Sequence, residues 1–198
     1  MSKERTDYLL DMEEILGPKM SAKLPGFVKR FLRNRLHMDQ INDCIMKAEH
    51  YAGAGFFDEA LNYIGITYKT RGEENLDLSK NYIFACNHPL GGPEALIIGS
   101  VFRKIYGDGF KVPANQILYN MKPLQEFFVP VKVQAGRQGR DIADRFAKMF
   151  ESDCQVLVFP AGLCARTFKG VITEMPWKKM FITQARKYER DVVPVHIS

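Results

Sequence analysis

From residue 66 to the carboxyl terminus, short apolar runs alternate with amphipathic segments of helical period, and this alternation restricts the fold more than any other feature of the chain. In order the segments are ITYKTRG, YIFAC, PEALIIGSVFRKIYG, FFVPVKV, RDIADRFAKMFE, QVLVF, PWKKMFITQARKYE and VVPVHI. Parallel strands covered on both faces read as continuous apolar runs and need crossover helices between them, so the pattern predicts an α/β domain with a largely parallel central sheet flanked by helices. Ahead of it the reading is helical. TDYLLDMEEIL opens on a Thr6 cap and stops at Gly17-Pro18, and MDQINDCIMKAEHYAGAG ends in a glycine-rich stop. The predicted organisation is a helical N-terminal appendage over 1–65 and the α/β domain over 66–198. A chain of 198 residues, 46% of them hydrophobic, is long enough to bury one sizeable core.

Within this frame the stretch FACNHPLGGPEAL, Phe84 to Leu96, stands where function gathers in open α/β sheets, at the carboxyl end of a strand as it leads into a helix. His88 follows the strand, Gly91 and Gly92 permit close backbone approach and unusual dihedrals, and Pro93 and Glu94 suit a first helical turn. A histidine with a carboxylate nearby has the chemistry of a general base, because the carboxylate fixes the imidazole tautomer and stabilises the cation formed on proton transfer. The alternative is a capping histidine with Glu94 complementing the helix dipole.

The formal net charge of +5 draws the chain to negative surfaces without choosing among nucleic acid, anionic lipid and a phosphorylated small molecule. Cys44, Cys86, Cys154 and Cys164 show no Cys-x-x-Cys spacing, and His37, His50, His88 and His196 have no zinc-ligand spacing, so neither a metal nor a redox cofactor is expected. The reduced cysteines point to a cytosolic compartment. The amino terminus is acidic and amphipathic, unlike a secretory signal, and no apolar run approaches the ~20 residues that span a bilayer, so membrane contact is expected to be peripheral.

Three further stretches complete the functional reading. EFFVPVKVQAGR places Lys132, Arg137 and Arg140 after an apolar strand; VLVFPAGLCAR ends a strand in Phe159-Pro160, a Gly162 turn and Arg166; DVVPVHI supplies Val193-Pro194-Val195. With the His88 stretch, these resemble the four sequence blocks of the glycerolipid acyltransferase family, of lysophosphatidic-acid acyltransferase type, and especially a bacterial subgroup of hemolysin-like acyltransferases. The resemblance covers about Gly72 to His196. It implies direct acyl transfer. His88 would deprotonate a hydroxyl or amine held against the carbonyl of an acyl thioester, from acyl-CoA or an acyl carrier protein, and Glu94 would orient His88. The same resemblance assigns Lys132, Arg137, Phe159, Pro160, Gly162 and Arg166 to the acceptor site, with amides around Gly91, Gly92 or Gly162 as oxyanion candidates.

The chain also departs from the family pattern. The acid at residue 94 is one place later than usual and is a glutamate; the third block carries Ala161, Leu163 and Cys164 where glutamate, threonine and arginine are usual; Lys132 replaces an arginine and offers a point charge without the bidentate fork. These changes make an acceptor other than a phosphorylated glycerol more plausible. Lysophosphatidic acid or glycerol phosphate is the broad family's acceptor, whereas the bacterial subgroup suggests an amino acid or its lipid derivative. Family members usually continue past the fourth block, so the end at Ser198 is expected to mark either a fragment or a shortened form.

Two stretches suit the inner face of a cell membrane. PGFVKRFLRNRLH sets Phe27, Val28, Phe31 and Leu32 among basic residues, and PWKKMFITQARKY joins Trp177 to Lys178 and Lys179. A packed helix explains the first equally well, and a buried tryptophan at a helix start is the preferred reading of the second. Two other classes compete. A cysteine hydrolase would use Cys86 or Cys164 with His88, yet Cys86 has no evident base-orienting geometry. A non-catalytic basic module would bind membrane or nucleic acid, but the basic residues are scattered and no nucleic-acid motif is present, so no nucleic acid is expected as partner.

Overall fold

The computed structural model describes residues 11, 13, 16–35, 38–48, 53, 55–89, 91–119, 121–131, 140–168 and 170–198. Its N-terminal part is helical: α1 (Pro18–Lys23), α2 (Gly26–Arg35), α3 (Met38–Ala48) and α4 (Gly55–Ile64). There follow β1 (Tyr82–Cys86), α5 (Gly92–Tyr106), β2 (Phe110–Ala114), α6 (Gln116–Tyr119), β3 (Phe128–Pro130), α7 (Arg140–Glu151), β4 (Gln155–Val158), β5 (Arg166–Phe168), β6 (Val171–Thr173), α8 (Met180–Lys187) and β7 (Asp191–Val195).

Five strands form one sheet in the order β3-β2-β4-β1-β7, and every pairing is parallel. The chain is therefore the α/β domain that the apolar runs predict. β1 is buried at all five positions, as is β4 at all four, because each lies inside the sheet with helices on both faces. Alternate residues of β1 serve opposite layers. Tyr82, Phe84 and Cys86 join Phe102 of α5 and Phe56 and Phe57 of α4, while Ile83 and Ala85 join Met149 and Phe150 of α7 and Phe181 and Ala185 of α8. The first layer is so close that a Cβ on Gly99 of α5 would stand 2.4 Å from the Phe57 ring, which explains a glycine inside a helix.

Polar contacts set the strand register around β1. Gln155 accepts from the Tyr82 amide at 2.8 Å and donates to the Lys80 carbonyl at 3.1 Å, tying the starts of β4 and β1. The buried Arg190 donates to the carbonyls of Phe150 (3.1 Å), Cys154 (2.6 Å) and Ser152, pinning the turn between α7 and β4 against the start of β7. Desolvation lowers the pKa of that guanidinium, and the carbonyls offset its cost.

Several elements differ from the sequence reading. ITYKTRG forms no strand: both sides of β1 are occupied, by β4 and β7, and Tyr68 instead lies over α5, with its hydroxyl bonded to Ser100 (2.6 Å) and Lys104 (2.7 Å). The last helix begins at Met180 rather than at Pro176. Strands β2 and the antiparallel pair β5–β6 are additional. Most of TDYLLDMEEIL lies outside the described residues.

Candidate active site

β1 and β4 are adjacent and parallel, with Ala85 opposite Val158, so the segments leaving their carboxyl ends must meet. These are Asn87-His88 and Phe159-Pro160. On the other side Ala85 faces Pro194 of β7, an edge position where the missing proline N–H costs no ladder bond. Three of the four motif stretches thus converge through strand order alone. The fourth lies across the sheet, on β3, and its Lys132 and Arg137 fall outside the described residues.

The His88 ring is fixed on three sides. It stacks on Phe159, with centroids 4.2 Å apart and planes 22° apart. Its Nδ1 faces the Glu94 carboxylate at 3.7 Å, an ion-pair distance rather than a hydrogen bond. Its Nε2 lies 3.4 Å from the Cys164 sulfur. Glu94 is fully buried in the first turn of α5, where the helix dipole favours a carboxylate, so the dipole role and the histidine-facing role coincide in one residue. The glutamate side chain, one methylene longer than aspartate, reaches the ring from one residue further along. A carboxylate at Nδ1 favours the tautomer with its proton there, which leaves the Nε2 lone pair directed at the exposed side.

The backbone of His88 is held as firmly. Its amide donates to Glu174 Oε1 at 3.2 Å, its carbonyl accepts from the Ala165 amide at 2.8 Å, and the same Glu174 oxygen accepts from Trp177 Nε1 at 2.9 Å. Beside it the Asn87 side chain bonds both the amide (2.7 Å) and the carbonyl (2.8 Å) of Ile197, extending the β1–β7 pairing past the strand ends. Neither Asn87 nor Glu174 is singled out by the sequence reading. Asn87 carried a signal, a polar amide inside an apolar run; Glu174 carried none, since 86 residues separate it from His88.

Gly91 caps α5 with φ 100° and ψ −116°, a conformation that favours glycine, and a Cβ there would lie 3.4 Å from the Cys164 sulfur. Gly162, at φ +72°, makes the turn after Pro160; a Cβ there would stand 3.0 Å from Lys178 Nζ, so that turn has a cation directly beside it. Arg166 is exposed and acts electrostatically on Cys164. Desolvation, and then Glu94, raise the Cys164 thiol above its ordinary pKa, against a smaller pull from Arg166. Cys86, fully buried, is pushed up to about 12, chiefly by desolvation, and is a core thiol. Trp177 is 42% exposed and precedes α8, which corrects the expectation of a buried tryptophan at a helix start. No helix among the described residues is long and apolar enough to cross a membrane.

Comparison with known proteins bears on this geometry. The chain matches the acyltransferase family over residues 13–198. It is 35% identical over 192 residues to a lyso-glycine lipid O-acyltransferase of Bacteroides thetaiotaomicron, covering 96% of this chain and 70% of that one. A protein of the same name from Phocaeicola vulgatus is 32% identical over 192 residues, covering 96% of this chain and 68% of that one. No solved structure matches it. The histidine and carboxylate brought together after β1, and the match over nearly the whole chain, agree: this protein is an acyltransferase and belongs to the acyltransferase family, in the bacterial subgroup that its motifs resemble.

Proposed function

We propose that the protein transfers a fatty acyl chain from an acyl thioester to the hydroxyl of a lyso-form amino-acid lipid. His88 Nε2 takes the hydroxyl proton as the oxygen attacks the thioester carbonyl, and Glu94 stabilises the imidazolium; the proton then passes to the departing thiolate, of CoA or a carrier protein. Base catalysis of this kind typically contributes ~10²–10⁴ in rate. In this reading amides at the N-terminus of α5, from Gly91 and Gly92, donate to the developing oxyanion, and the acyl donor is the only co-reactant. The observation that carries the reading is the imidazole between a fully buried carboxylate at Nδ1 and an open side at Nε2.

The altered third block and the relatives support this acceptor. Cys164 and Ala161 stand where the family places an arginine and a glutamate, which weakens recognition of a phosphate, while Arg166 and Lys178 remain as cations for a single carboxylate. Two relatives named for O-acylation of a lyso-glycine lipid support an oxygen acceptor on such a lipid. Of the helix predicted to meet the membrane, Phe27 and Phe31 of α2 are 76% and 64% exposed, one turn apart, which supports peripheral contact with an anionic surface.

A second reading is favoured by the 3.4 Å contact between Cys164 and His88. In it His88 takes the thiol proton, the Cys164 sulfur adds to the donor carbonyl, and the donor thiolate leaves with that proton. The acceptor hydroxyl then gives its proton to His88, attacks the acyl-cysteine and restores the thiol. Mass spectrometry of products from an acyl thioester with lyso-glycine lipid, lysophosphatidic acid and free glycine tests the acceptor. O-acylated glycine lipid is expected; acylation of lysophosphatidic acid alone, or of free glycine alone, overturns the proposal.

A further inference from the structure

Beside the reacting histidine, strands β5 and β6 form a two-stranded ribbon that joins no other strand among the described residues. Adjacent residues of a strand point to opposite faces, and Val171 and Ile172 of β6 are 64% and 68% exposed, so both faces of the ribbon present apolar side chains to solvent. An isolated hairpin is marginal in water, and the aliphatic residues on both faces of this one are left uncovered by the described residues. At the base of the ribbon the pattern changes to that of a lipid interface: Trp177 is 42% exposed, and Arg166, Lys178 and Lys179 are exposed around it. The ribbon leads directly into Glu174, whose carboxylate bonds both the His88 amide and the Trp177 indole.

We infer that the β5–β6 hairpin enters the surface of an anionic bilayer, with Val171 and Ile172 in the acyl region and Trp177, Lys178, Lys179 and Arg166 at the headgroups. The inference deepens the proposed reaction and rests on its lipid acceptor: seated in this way, the hairpin brings the membrane to one hydrogen bond from the His88 backbone. Exposed aliphatic residues on the strand, with an indole and cations at the base, match an anionic lipid surface, whose acyl layer takes Val171 and Ile172 and whose headgroups meet the charges of Arg166, Lys178 and Lys179.

Trp177 is the only tryptophan in the chain and serves as the reporter. Adding phosphatidylcholine vesicles containing phosphatidylglycerol to the full chain should shift its emission to shorter wavelength, and phosphatidylcholine alone should shift it less. The double variant Val171→Asp, Ile172→Asp should lose the shift and partition at least about tenfold more weakly, with an unchanged circular dichroism spectrum. Val171→Ser, Ile172→Ser provides the same test if the charged pair unfolds the ribbon. Transfer to a water-soluble short-chain acceptor should stay at the wild-type rate while transfer to a vesicle-embedded acceptor falls. Partitioning of the serine variant equal to the wild type overturns the inference, as does a lipid-free dimer that the substitutions abolish. Absence of transfer to every acceptor by wild type overturns the proposed reaction, while the emission shift still decides where the hairpin sits.

Discussion

The two edges of the His88 ring lie in opposite surroundings. At Nδ1 stands a carboxylate with no exposed surface, on the first turn of a 15-residue helix whose dipole steadies the charge. At Nε2 stands an exposed cysteine on the segment leading into the solvent-facing hairpin. The buried edge is made by neighbours in sequence, His88 and Glu94, and is fixed by the sheet; the open edge is made by residues some 76 positions away and is fixed by loops. The contrast assigns the roles. In the proposed reaction the buried side fixes the tautomer of the ring, and the open side receives the acceptor.

Removing the charge on the buried edge should have the largest effect among the neighbours of His88. Glu94→Gln keeps the shape of the side chain, and kcat for acyl transfer should fall by ~10² with little change in the acceptor KM, because an orienting carboxylate acts on the transition state. An unaltered kcat would reduce Glu94 to a partner of the helix dipole and erase the contrast between the edges.

Glu174 joins the two sides, and its effect should be intermediate. Glu174→Gln retains an oxygen for the His88 amide and the Trp177 indole but loses the charge-assisted part of both bonds, worth about 1 kcal/mol, or roughly fivefold in kcat. Glu174→Ala should cost more than the glutamine variant, and a glutamine variant at the wild-type rate would leave Glu174 with a purely steric role.

Cys164 should matter least. Direct transfer predicts that Cys164→Ala keeps kcat within about threefold, since the thiol only lines the position that the acceptor hydroxyl fills. Loss of activity, together with an acyl adduct on the wild-type protein by intact mass that is missing from the variant, would make the open edge a nucleophile instead.

Much of the buried region is legible in the sequence because both of its signals are local. YIFAC and QVLVF are apolar throughout, as central parallel strands must be, and GGPEAL carries the helix start and its acid within six residues. The open region is not legible in the same way. β2 is hidden because its burial alternates and Pro113 sits mid-strand, where proline normally argues against a ladder. β5 and β6 are three residues each, and ITYKTRG offers a better strand pattern than either while having no place beside β1. The contacts of His88 with Cys164 and Glu174 follow from β4 being inserted between β1 and β2, a topological fact that no short stretch of sequence encodes. The family resemblance supplies Phe159, Pro160 and Gly162, but it cannot announce the residues with which this chain fills its substituted third block.

In the proposed reaction His88 is the base for acyl transfer. The most direct measurement is the rate at which His88→Ala transfers an acyl group from a thioester to a lyso-glycine lipid, compared with the wild-type protein after circular dichroism has shown both to be folded. A loss of about 10³-fold or more in kcat with donor binding retained is expected; turnover at the wild-type rate would remove His88 as the base.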